Sequence, residues 1–461
     1  MHAARPGLLA AVLALLSGSL AHAESTQGSE VPVDLYELSV RSETYAELFR
    51  RALLPGPNGS LVSTDTVAPL HEYVSLRATD LDTAWDKDSL DLELAAWGRA
   101  WLGPRDTERP FEGDVQTANA RYRHGPLSLR LGRQVAAGGA ARFARFDGLD
   151  AEASLGAGVE ASVYGGWTVL PRWNERPRYE HLGAAPDSLL RDADATESVA
   201  RGKYRLAGAR LGWAHEGHRA GLSLHEQREP SGLAHRNLGI DGRTPLLWRS
   251  LLGASAVLDL DRRRFADARL WLDASPHRVL DVSFEYLHAE PALFLSRQSV
   301  LSVFGSTAYD EVGGYATVRA SNLLSLEGTG FVQDYDGDRP GARAELAVRA
   351  FAGPSRSTFL RVAYARVQAP ENGYHSVRSS LSQRFAWRLR ATLEAYAYLY
   401  DQAIYGYRAS SVYAGTLSFD PTRQLNLLWG ASLAHSPYAN LDAQTELRLC
   451  YTWDLRSRGP R

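Results

Sequence analysis

The stretch WRLRATLEAYAYLY, residues 387–400, alternates between two kinds of side chain at every step. Odd-numbered positions carry Trp, Leu or Ala, whereas even-numbered positions carry Arg, Thr, Glu and then Tyr. A β-strand turns successive side chains to opposite faces, so a period of two predicts a strand with one apolar and one polar face. Strands of globular proteins usually run about 5 to 6 residues, whereas crossing a bilayer takes about 9 to 11 tilted residues. The length of this stretch therefore favours a membrane-spanning strand.

The same alternation returns along the rest of the chain, with turn signals such as residues 124–126 and 420–422 between the repeats. Segments of this kind are residues 90–94, 127–131, 266–274, 280–286, 342–350 and 445–453. Repetition of this pattern is typical of a transmembrane β-barrel. The sequence predicts an all-β protein, a single transmembrane antiparallel up-and-down β-barrel.

The first residues have the layout of a secretory signal peptide. Arg5 precedes an apolar run, and Ala21, His22 and Ala23 form an A-x-A cleavage site. We expect a signal peptide at residues 1–23, a barrel at 24–455 and a short tail at 456–461. Beyond the signal peptide there is no apolar run of roughly 18 residues that could span as a helix. The predicted location is the bacterial outer membrane, after cleavage of the signal peptide.

Loop lengths allow the number of strands to be counted, because such barrels pair short periplasmic turns with longer extracellular loops. Long connections are expected at residues 52–70, 102–113, 137–145, 171–201 and 230–246. Alternation of long and short connections then requires residues 293–304 to be a strand, and the total becomes about 22. The prediction is an even number from 18 to 22, with 22 favoured.

Residues 129–171 resemble a pattern, G-R-Q … D-G … Y-G-G, found in porin-like and alginate-export-like outer-membrane barrels. The matching residues are Gly132, Arg133, Gln134, Asp147, Gly148, Tyr164, Gly165 and Gly166. This resemblance implies a wide channel for hydrophilic solutes or for exported polysaccharide. The last strand also resembles the end of such proteins, although the tail at residues 456–461 departs from the family's terminal aromatic residue.

The polar faces of the predicted strands supply candidates for lining a pore. They carry charges of both signs: Glu93, Arg130, Asp267, Arg269, Asp273, Asp281, Glu285, Arg343, Glu345, Arg349, Arg388, Arg390, Glu394, Glu446 and Arg448. A barrel this wide needs narrowing, and the 171–201 loop is the candidate constriction. Its charged residues are Arg172, Arg176, Arg178, Asp187, Arg191, Asp192 and Asp194. The alternative is that these charges solvate an exterior loop or pair across strands.

Tyr396, Tyr398 and Tyr400 share the polar face of their strand and could stack on sugar rings inside the barrel. The alternative is an aromatic girdle, with a bulge that turns these tyrosines toward lipid. Asp334, Asp336 and Asp338 occupy positions 1, 3 and 5 of a calcium-loop pattern, with Glu345 at position 12. Arg339 stands at the sixth position, where that loop needs glycine, so an ordinary acidic hairpin loop is favoured over a metal site.

The function predicted from the sequence is a porin-like channel for passive passage of hydrophilic solutes. The first alternative is a conduit for polysaccharide export, which would need a periplasmic polysaccharide-export protein as a partner. A structural or adhesive barrel and an outer-membrane hydrolase are further alternatives, and His71, His181, His225 and His375 lie in no recognisable catalytic motif. The expected partners are outer-membrane lipid, lipopolysaccharide and the barrel-assembly machinery. No cofactor is expected, and a net charge of −2 argues against nucleic-acid binding.

Overall fold

The computed structural model describes most of the predicted barrel. The described residues are 35–52, 64–82, 88–102, 111–169, 204–229, 232–247, 249–290, 293, 308–335, 340–369, 372–385, 388–404, 406–437 and 439–455. The predicted signal peptide at 1–23 and the tail at 456–461 lie outside the described residues. No helix in these ranges is long and apolar enough to span a membrane.

The described residues form 23 strands. The first twelve are β1 (Leu35–Ala52), β2 (Thr64–Val67), β3 (Pro69–Asp82), β4 (Asp88–Trp101), β5 (Phe111–His124), β6 (Leu127–Gly138), β7 (Arg142–Gly156), β8 (Val159–Thr168), β9 (Arg205–His215), β10 (His218–Glu229), β11 (Gly232–Leu246) and β12 (Ser250–Asp259). The others are β13 (Arg264–His277), β14 (Leu280–Ala289), β15 (Tyr309–Arg319), β16 (Leu324–Tyr335), β17 (Gly341–Ala352), β18 (Thr358–Gln368), β19 (Tyr374–Arg384), β20 (Leu389–Ile404), β21 (Tyr407–Phe419), β22 (Leu425–Ser436) and β23 (Ala439–Leu455). Short 3-10 turns occupy Gly139–Ala141 and Pro354–Arg356.

These strands close into one antiparallel ring. From β3 to β23 each strand pairs with the next, and β1 pairs with both β3 and β23. The closing ladder runs from Leu38 opposite Leu455 to Leu48 opposite Thr445. The short β2 pairs with the end of β1 and lies outside the ring, so the described wall has 22 strands. The fold is therefore the predicted up-and-down barrel, with the favoured strand number.

One face of the wall is apolar and the other is polar. On β20 the odd-numbered residues face outward, and Leu393 is 61% exposed. Leu131, Leu270, Leu346 and Leu447 are exposed in the same way on other strands. The inner face is identified by contacts between strands that are not neighbours, such as the ion pair of Arg142 in β7 with Asp267 in β13. An exposed apolar outer face on a closed barrel is the signature of a membrane-spanning barrel.

One segment was assigned wrongly in the strand count from sequence. Residues 232–246, expected to lie in a long loop, form β11, which pairs with β10 and β12. Three glycines and Pro245 make this strand read like a turn-rich segment. β14 pairs directly with β15, so the described ring reaches 22 strands without residues 293–304, which were expected to be a strand. Apart from Leu293, that segment lies outside the described residues.

The two-faced wall predicts very different costs for the same substitution at adjacent positions of β20. Leu393→Arg places a charge on the lipid-facing side and should cost about 2 to 4 kcal/mol if it lies near the midplane. Thr392→Arg places the charge on the inner face and should be tolerated. Unfolding free energies measured by denaturant titration in lipid vesicles would compare the two, and equal costs would contradict the assignment of faces.

Candidate functional site: a hairpin folded into the lumen

The β6–β7 hairpin leaves the barrel wall partway along its length. The β5–β6 ladder ends where Ala118 lies opposite Arg133, although β5 begins at Phe111 and β6 continues to Gly138. The outer part of the hairpin, residues 133–146, therefore separates from β5. Its contacts with the inner faces of β9 to β13, described below, place it inside the lumen, and we call it the inner hairpin.

Glycines allow the departure from the wall. Gly132 has a φ of +119°, which L side chains rarely adopt, and a Cβ there would overlap the carbonyl oxygen of Ala118. On the neighbouring strand pair Gly148 lies opposite Gly166, and a Cβ on Gly148 would overlap the backbone of Gly165. The wall can bend sharply here because its backbones approach more closely than side chains would permit.

Side chains supply hydrogen bonds to backbone carbonyl groups around this branch. Arg133 Nη1 donates to the carbonyl oxygen of Val115 at 2.8 Å, and Asn119 Nδ2 donates to that of Arg133 at 3.2 Å. Gln134 Nε2 donates to the carbonyl oxygen of Gly148 at 3.1 Å. Because unsatisfied backbone groups in a membrane barrel are costly, these contacts stabilise the point at which the hairpin leaves the wall.

The G-R-Q … D-G … Y-G-G residues therefore form a hinge. Arg133 makes two hydrogen bonds to Asp147, with Nε–Oδ1 at 2.7 Å and Nη2–Oδ2 at 2.9 Å. Paired N–H···O bonds of this kind fix orientation as well as adding energy. These residues carry the resemblance to porin-like barrels. In this chain they direct the inner hairpin into the lumen.

A buried aspartate anchors the base of the inner hairpin to β5. Asp114 accepts a hydrogen bond from Arg145 at 2.9 Å and lies 3.4 Å from Arg133 Nη1. Both the Asp114 and Arg145 side chains are almost fully buried. A buried carboxylate held between two guanidinium groups is stabilised by both of them, and removing it would leave a buried positive charge.

The tip of the inner hairpin docks on the inner faces of β10, β11 and β13. The backbone N–H of Ala140 donates to Ser223 Oγ at 2.8 Å, and that hydroxyl donates to the carbonyl oxygen of Gly239 at 3.3 Å. A Cβ on Gly239 would overlap the Ala140 backbone nitrogen. Arg142 then forms an ion pair with Asp267 on β13. The hairpin therefore lies along the inner wall from β5 to β13.

Apolar packing holds the underside of the inner hairpin against β8 and β9. Ala144, Phe146 and Leu206 form a buried cluster, against which Ala136 and Tyr164 pack. The Phe146 side chain is fully buried. Burying a phenylalanine stabilises by roughly 1.5 to 3 kcal/mol, so this contact fixes the hairpin independently of the polar contacts at its base and tip.

The free side of the inner hairpin presents an aromatic ring to the lumen. Phe143 is 66% exposed, although it is flanked by the buried Ala144 and the ion-paired Arg142. The run VAAGGAA at residues 135–141 keeps the rest of the tip small. The arrangement narrows the lumen along one arc of the wall and leaves the remaining arc, from β14 onward, uncovered by the hairpin.

Most of the predicted pore-lining residues lie on the inner face of the wall. Eight of them form ion pairs: Asp267 with Arg142, Arg269 with Glu285 (both in the predicted set), Asp281 with Arg319, Arg343 with Glu311, Glu345 with Arg361, Arg349 with Glu327, and Arg448 with Glu43. The others contact or face polar partners: Glu93 with Asn119, Arg130 opposite Asp150, Asp273 with Ser283, Arg390 opposite Ser418, Glu394 with Tyr396, and Glu446 opposite Glu47. The ion-paired charges are compensated within the wall, whereas Glu446 faces the carboxylate of Glu47.

Arg388 is placed differently from the other predicted pore-lining residues. β20 begins at Leu389, so Arg388 lies in the preceding turn with a φ of +62°. There its Nη1 donates to the carbonyl oxygen of Pro421 at 3.3 Å. The strand was expected to start at residue 387 because the alternation begins there, but the described strand begins at Leu389.

The three tyrosines of β20 face the lumen, because the register of β20 with β19 is unbroken from Arg390 to Tyr400, which lies opposite Tyr374. Tyr398 and Tyr400 are nevertheless only 5% and 7% exposed. Tyr398 packs against Tyr374 at a centroid distance of 5.4 Å, and the Tyr400 hydroxyl lies 3.0 Å from Ser410 Oγ. Their ring faces are therefore covered by neighbours, and sugar stacking on this ladder stays a prediction with little open surface to support it.

The other predicted sites fall in two groups. The constriction-loop residues Arg172, Arg176, Arg178, Asp187, Arg191, Asp192 and Asp194, the loop residue His181, and Asp336 and Asp338 lie outside the described residues. Asp334 faces outward on β16, whereas Glu345, the twelfth position of the calcium pattern, faces inward on β17. A calcium loop needs both positions to point at one ion. Among the described residues, no group of three or more His, Cys, Asp or Glu side chains is placed to hold a metal.

The described histidines that were considered for catalysis each contact a tyrosine. His71 stacks on Tyr45 at a centroid distance of 4.4 Å. His225 Nδ1 lies 2.9 Å from the Tyr164 hydroxyl, and His375 Nδ1 lies 2.6 Å from the Tyr364 hydroxyl. These contacts give the three histidines packing roles in the wall.

Sequence reasoning did not find the residues that place the inner hairpin. Asp114, Ser223, Gly239 and Arg142 lie on four different strands, and no local pattern joins them. Residues 137–145 were expected to be an extracellular connection, because a run of small residues followed by Arg142 looks like a solvated loop. The signal available in the sequence was the glycine-rich pattern of the hinge. The resemblance identified these residues but did not show that they direct a hairpin into the lumen.

Comparisons with known proteins give similar folds at low identity. No protein-family model matches the chain, and no curated protein matches it. Among solved structures, the P pilus usher PapC translocation pore has a TM-score of 0.46 at 8% identity, covering 91% of this chain and 100% of that one. OccAB4 of Acinetobacter baumannii has a TM-score of 0.44 at 9% identity, with 91% and 98% covered. The outer-membrane protein OpdK of Pseudomonas aeruginosa has a TM-score of 0.40 at 11% identity, with 91% and 99% covered.

The assignment of the fold therefore rests on the hydrogen-bonded ring of this chain itself. The comparisons lend no support to the alginate-export part of the resemblance.

The anchor at the base of the inner hairpin predicts a large difference between two aspartates. Asp114→Asn leaves Arg145 buried without its carboxylate and should cost about 3 to 5 kcal/mol of unfolding free energy. The matched change Asp147→Asn removes a carboxylate that is half exposed and should cost at most about 1 kcal/mol. Urea unfolding in vesicles, followed by fluorescence, compares them. If Asp147→Asn were the more damaging change, the proposed anchor at Asp114 would be misplaced.

Proposed function

We propose that the protein is a channel through which hydrophilic solutes pass passively. The observation that carries this proposal is the inner hairpin, which is docked along one arc of a 22-strand wall and leaves the opposite arc uncovered within the described residues. Barrels of this width enclose a space that wall side chains alone do not fill. A hairpin lying along the wall narrows such a space without sealing it.

The inner wall supports weak charge selectivity. Arg361 lies between Glu327 and Glu345, and Arg349 lies beside Glu327. Because both signs alternate at close range, the field in the lumen has no single dominant sign. A channel of this kind should pass small cations and anions at similar rates, and size should decide which larger solutes enter.

We propose the outer membrane as the location, since the closed barrel and its apolar outer face are the architecture that spans that membrane. Arg228 and Arg236 face outward near the end of the barrel that carries the long connections, where they share the single carboxylate of Glu226. Guanidinium groups there are suited to phosphate groups of lipopolysaccharide. Contact with lipopolysaccharide and insertion by the barrel-assembly machinery belong to this proposal.

The proposed location predicts how the protein behaves on fractionation. It should be recovered with the outer membrane, lacking residues 1–23, and should migrate differently on gels before and after boiling because the closed barrel resists unfolding by detergent. Membrane separation followed by N-terminal sequencing tests this. Recovery of the mature protein in the soluble fraction would contradict the proposal.

The proposed constriction predicts a change in conductance when the hairpin tip cannot dock. Gly239→Leu places a side chain where the Ala140 backbone now lies, so the tip must move and the conductance in a planar bilayer should rise. The matched control is Gly330→Leu, because nothing lies within 4 Å of a Cβ at that outward-facing position. The control should conduct as the unmodified protein does.

A second variant covers the case in which Gly239→Leu fails to fold. Replacing residues 135–144 by two glycines removes the hairpin tip and leaves the hinge residues in place, and it too should raise the conductance. Deleting most of residues 171–201 tests the loop that was expected to be the constriction. A protein that conducts neither before nor after these changes would favour a structural or adhesive barrel.

A further inference from the structure

The inner face of β15, β16 and β17 carries an aromatic and polar patch in the arc that the inner hairpin leaves uncovered. Tyr315, Phe331 and Arg343 all point into the lumen, since they share a face with the ion-paired Glu285 and Glu345. The hairpin makes its last described wall contact at Asp267 on β13, two strands before this patch begins. We call Tyr315, Phe331, Arg343 and Glu311 the β15–β17 patch.

A glycine allows the aromatic rings of the patch to lie close to the wall. Gly313 lies opposite Phe331, and a Cβ on Gly313 would come within 2.6 Å of the Phe331 ring atom Cδ1. The Phe331 ring therefore lies over the glycine and is only 4% exposed. Tyr315 meets it edge-on at a centroid distance of 5.0 Å, an arrangement that aromatic pairs favour. This buried ring supports Tyr315 and holds it in place.

Tyr315 itself is open to the lumen. Its exposed fraction is 44%, in contrast to the covered Tyr398 and Tyr400 of β20. A phenol with a supported edge and an open surface can stack against a flat ligand at little entropic cost, because its rotamer is already fixed. Of the tyrosines that sequence reasoning and the structure bring forward inside the barrel, Tyr315 is thus the better placed for contact with a solute.

The charge of the patch is compensated, while its hydrogen-bonding groups remain available. The Arg343 guanidinium lies 4.4 Å over the Phe331 ring and donates to Glu311 at 2.8 Å. Gln333 donates to the same carboxylate at 2.6 Å, and Tyr335 donates to Gln333 at 2.9 Å. The Arg343 side chain is still half exposed, whereas Glu311 is buried. The patch therefore offers N–H donors to the lumen with no net positive charge.

We propose that the β15–β17 patch binds uncharged, polyhydroxylated chains, namely oligosaccharides, with a sugar ring stacked on Tyr315 and hydroxyl groups accepting from Arg343. This proposal deepens the proposed channel function and rests on it for its role in passage. An anionic ligand fits less well, because Glu311 already compensates the guanidinium charge. A purely apolar ligand would leave the Arg343 donors unsatisfied.

The test uses maltohexaose and measures both channel block and binding. In a planar bilayer the sugar should interrupt the current, and Tyr315→Ala should raise the concentration needed for half block about fivefold, as loss of one stacked ring implies. The matched control is Tyr413→Ala, since Tyr413 is 60% exposed on the lipid-facing side. Calorimetric titration of maltohexaose into the protein in detergent should show the same ranking without requiring conduction.

The outcomes separate this proposal from the channel itself. A silent bilayer with Tyr315-dependent sugar binding would overturn the channel function and support the patch. Conduction with no sugar block and no calorimetric binding would overturn the patch and leave the channel. Benzoate serves as an anionic aromatic probe. If benzoate bound more tightly than maltohexaose, and the double variant Glu311→Gln with Arg343→Gln abolished that binding, the patch would be an anion site and the proposal would be wrong.

Discussion

Closure of the ring by β1 and β23 is the constraint on which the rest of the structure depends. A sheet in a membrane cannot leave an edge of unpaired N–H and C=O groups facing lipid, because the bilayer core offers them no partner. The ladder from Leu38–Leu455 to Leu48–Thr445 removes that edge. Closure also determines what the alternation of side chains means. Each strand of a closed ring has one face toward lipid and one toward an enclosed space.

The inner hairpin is a local exception to this constraint, and its surroundings show how the exception is tolerated. Where residues 133–146 leave the wall, the β5–β6 ladder ends, and residues 111–117 of β5 are not paired with β6. Arg133, Asn119 and Gln134 supply side-chain hydrogen bonds to the carbonyl groups concerned. The tip recovers further contacts at Ser223 and Asp267. The hairpin is thus fixed at its base, its underside and its tip, which suits a constriction of constant size.

Period-two alternation predicted the fold class and most wall strands, because a lipid-facing side that must be apolar leaves a direct trace in the sequence. The identities of all the strands were harder to predict. β11 combines three glycines with inward charged residues such as Asp241, so its sequence looks like a loop. The described ring reaches 22 strands with β11 and without residues 293–304, whereas the count from sequence reached 22 the other way round. Parity constrains how many strands there are and does not say which segments form them.

The inner hairpin could not be predicted from local patterns, because its position depends on contacts between residues far apart in the chain. Ala140 and Ser223 are separated by 83 positions, and no periodicity links them. The inward direction of Tyr396 to Tyr400 could be predicted from alternation, whereas their burial depends on neighbours such as Tyr374 and Ser410 on adjacent strands. The alternation within one strand determines the direction in which a side chain points. Its exposure depends on the side chains of neighbouring strands.

The most direct test of the account asks whether Phe143 lies in the conducting pathway. In a protein whose native Cys450 is changed to Ser, the variants Phe143→Cys and Leu131→Cys place single thiols on the same hairpin, one on the inner hairpin and one on the exposed outer wall. A charged, membrane-impermeant thiosulfonate reagent added during bilayer recording should lower the current of Phe143→Cys and leave that of Leu131→Cys unchanged. An unchanged current for Phe143→Cys, or a fall for Leu131→Cys, would contradict the placement of the hairpin inside the channel.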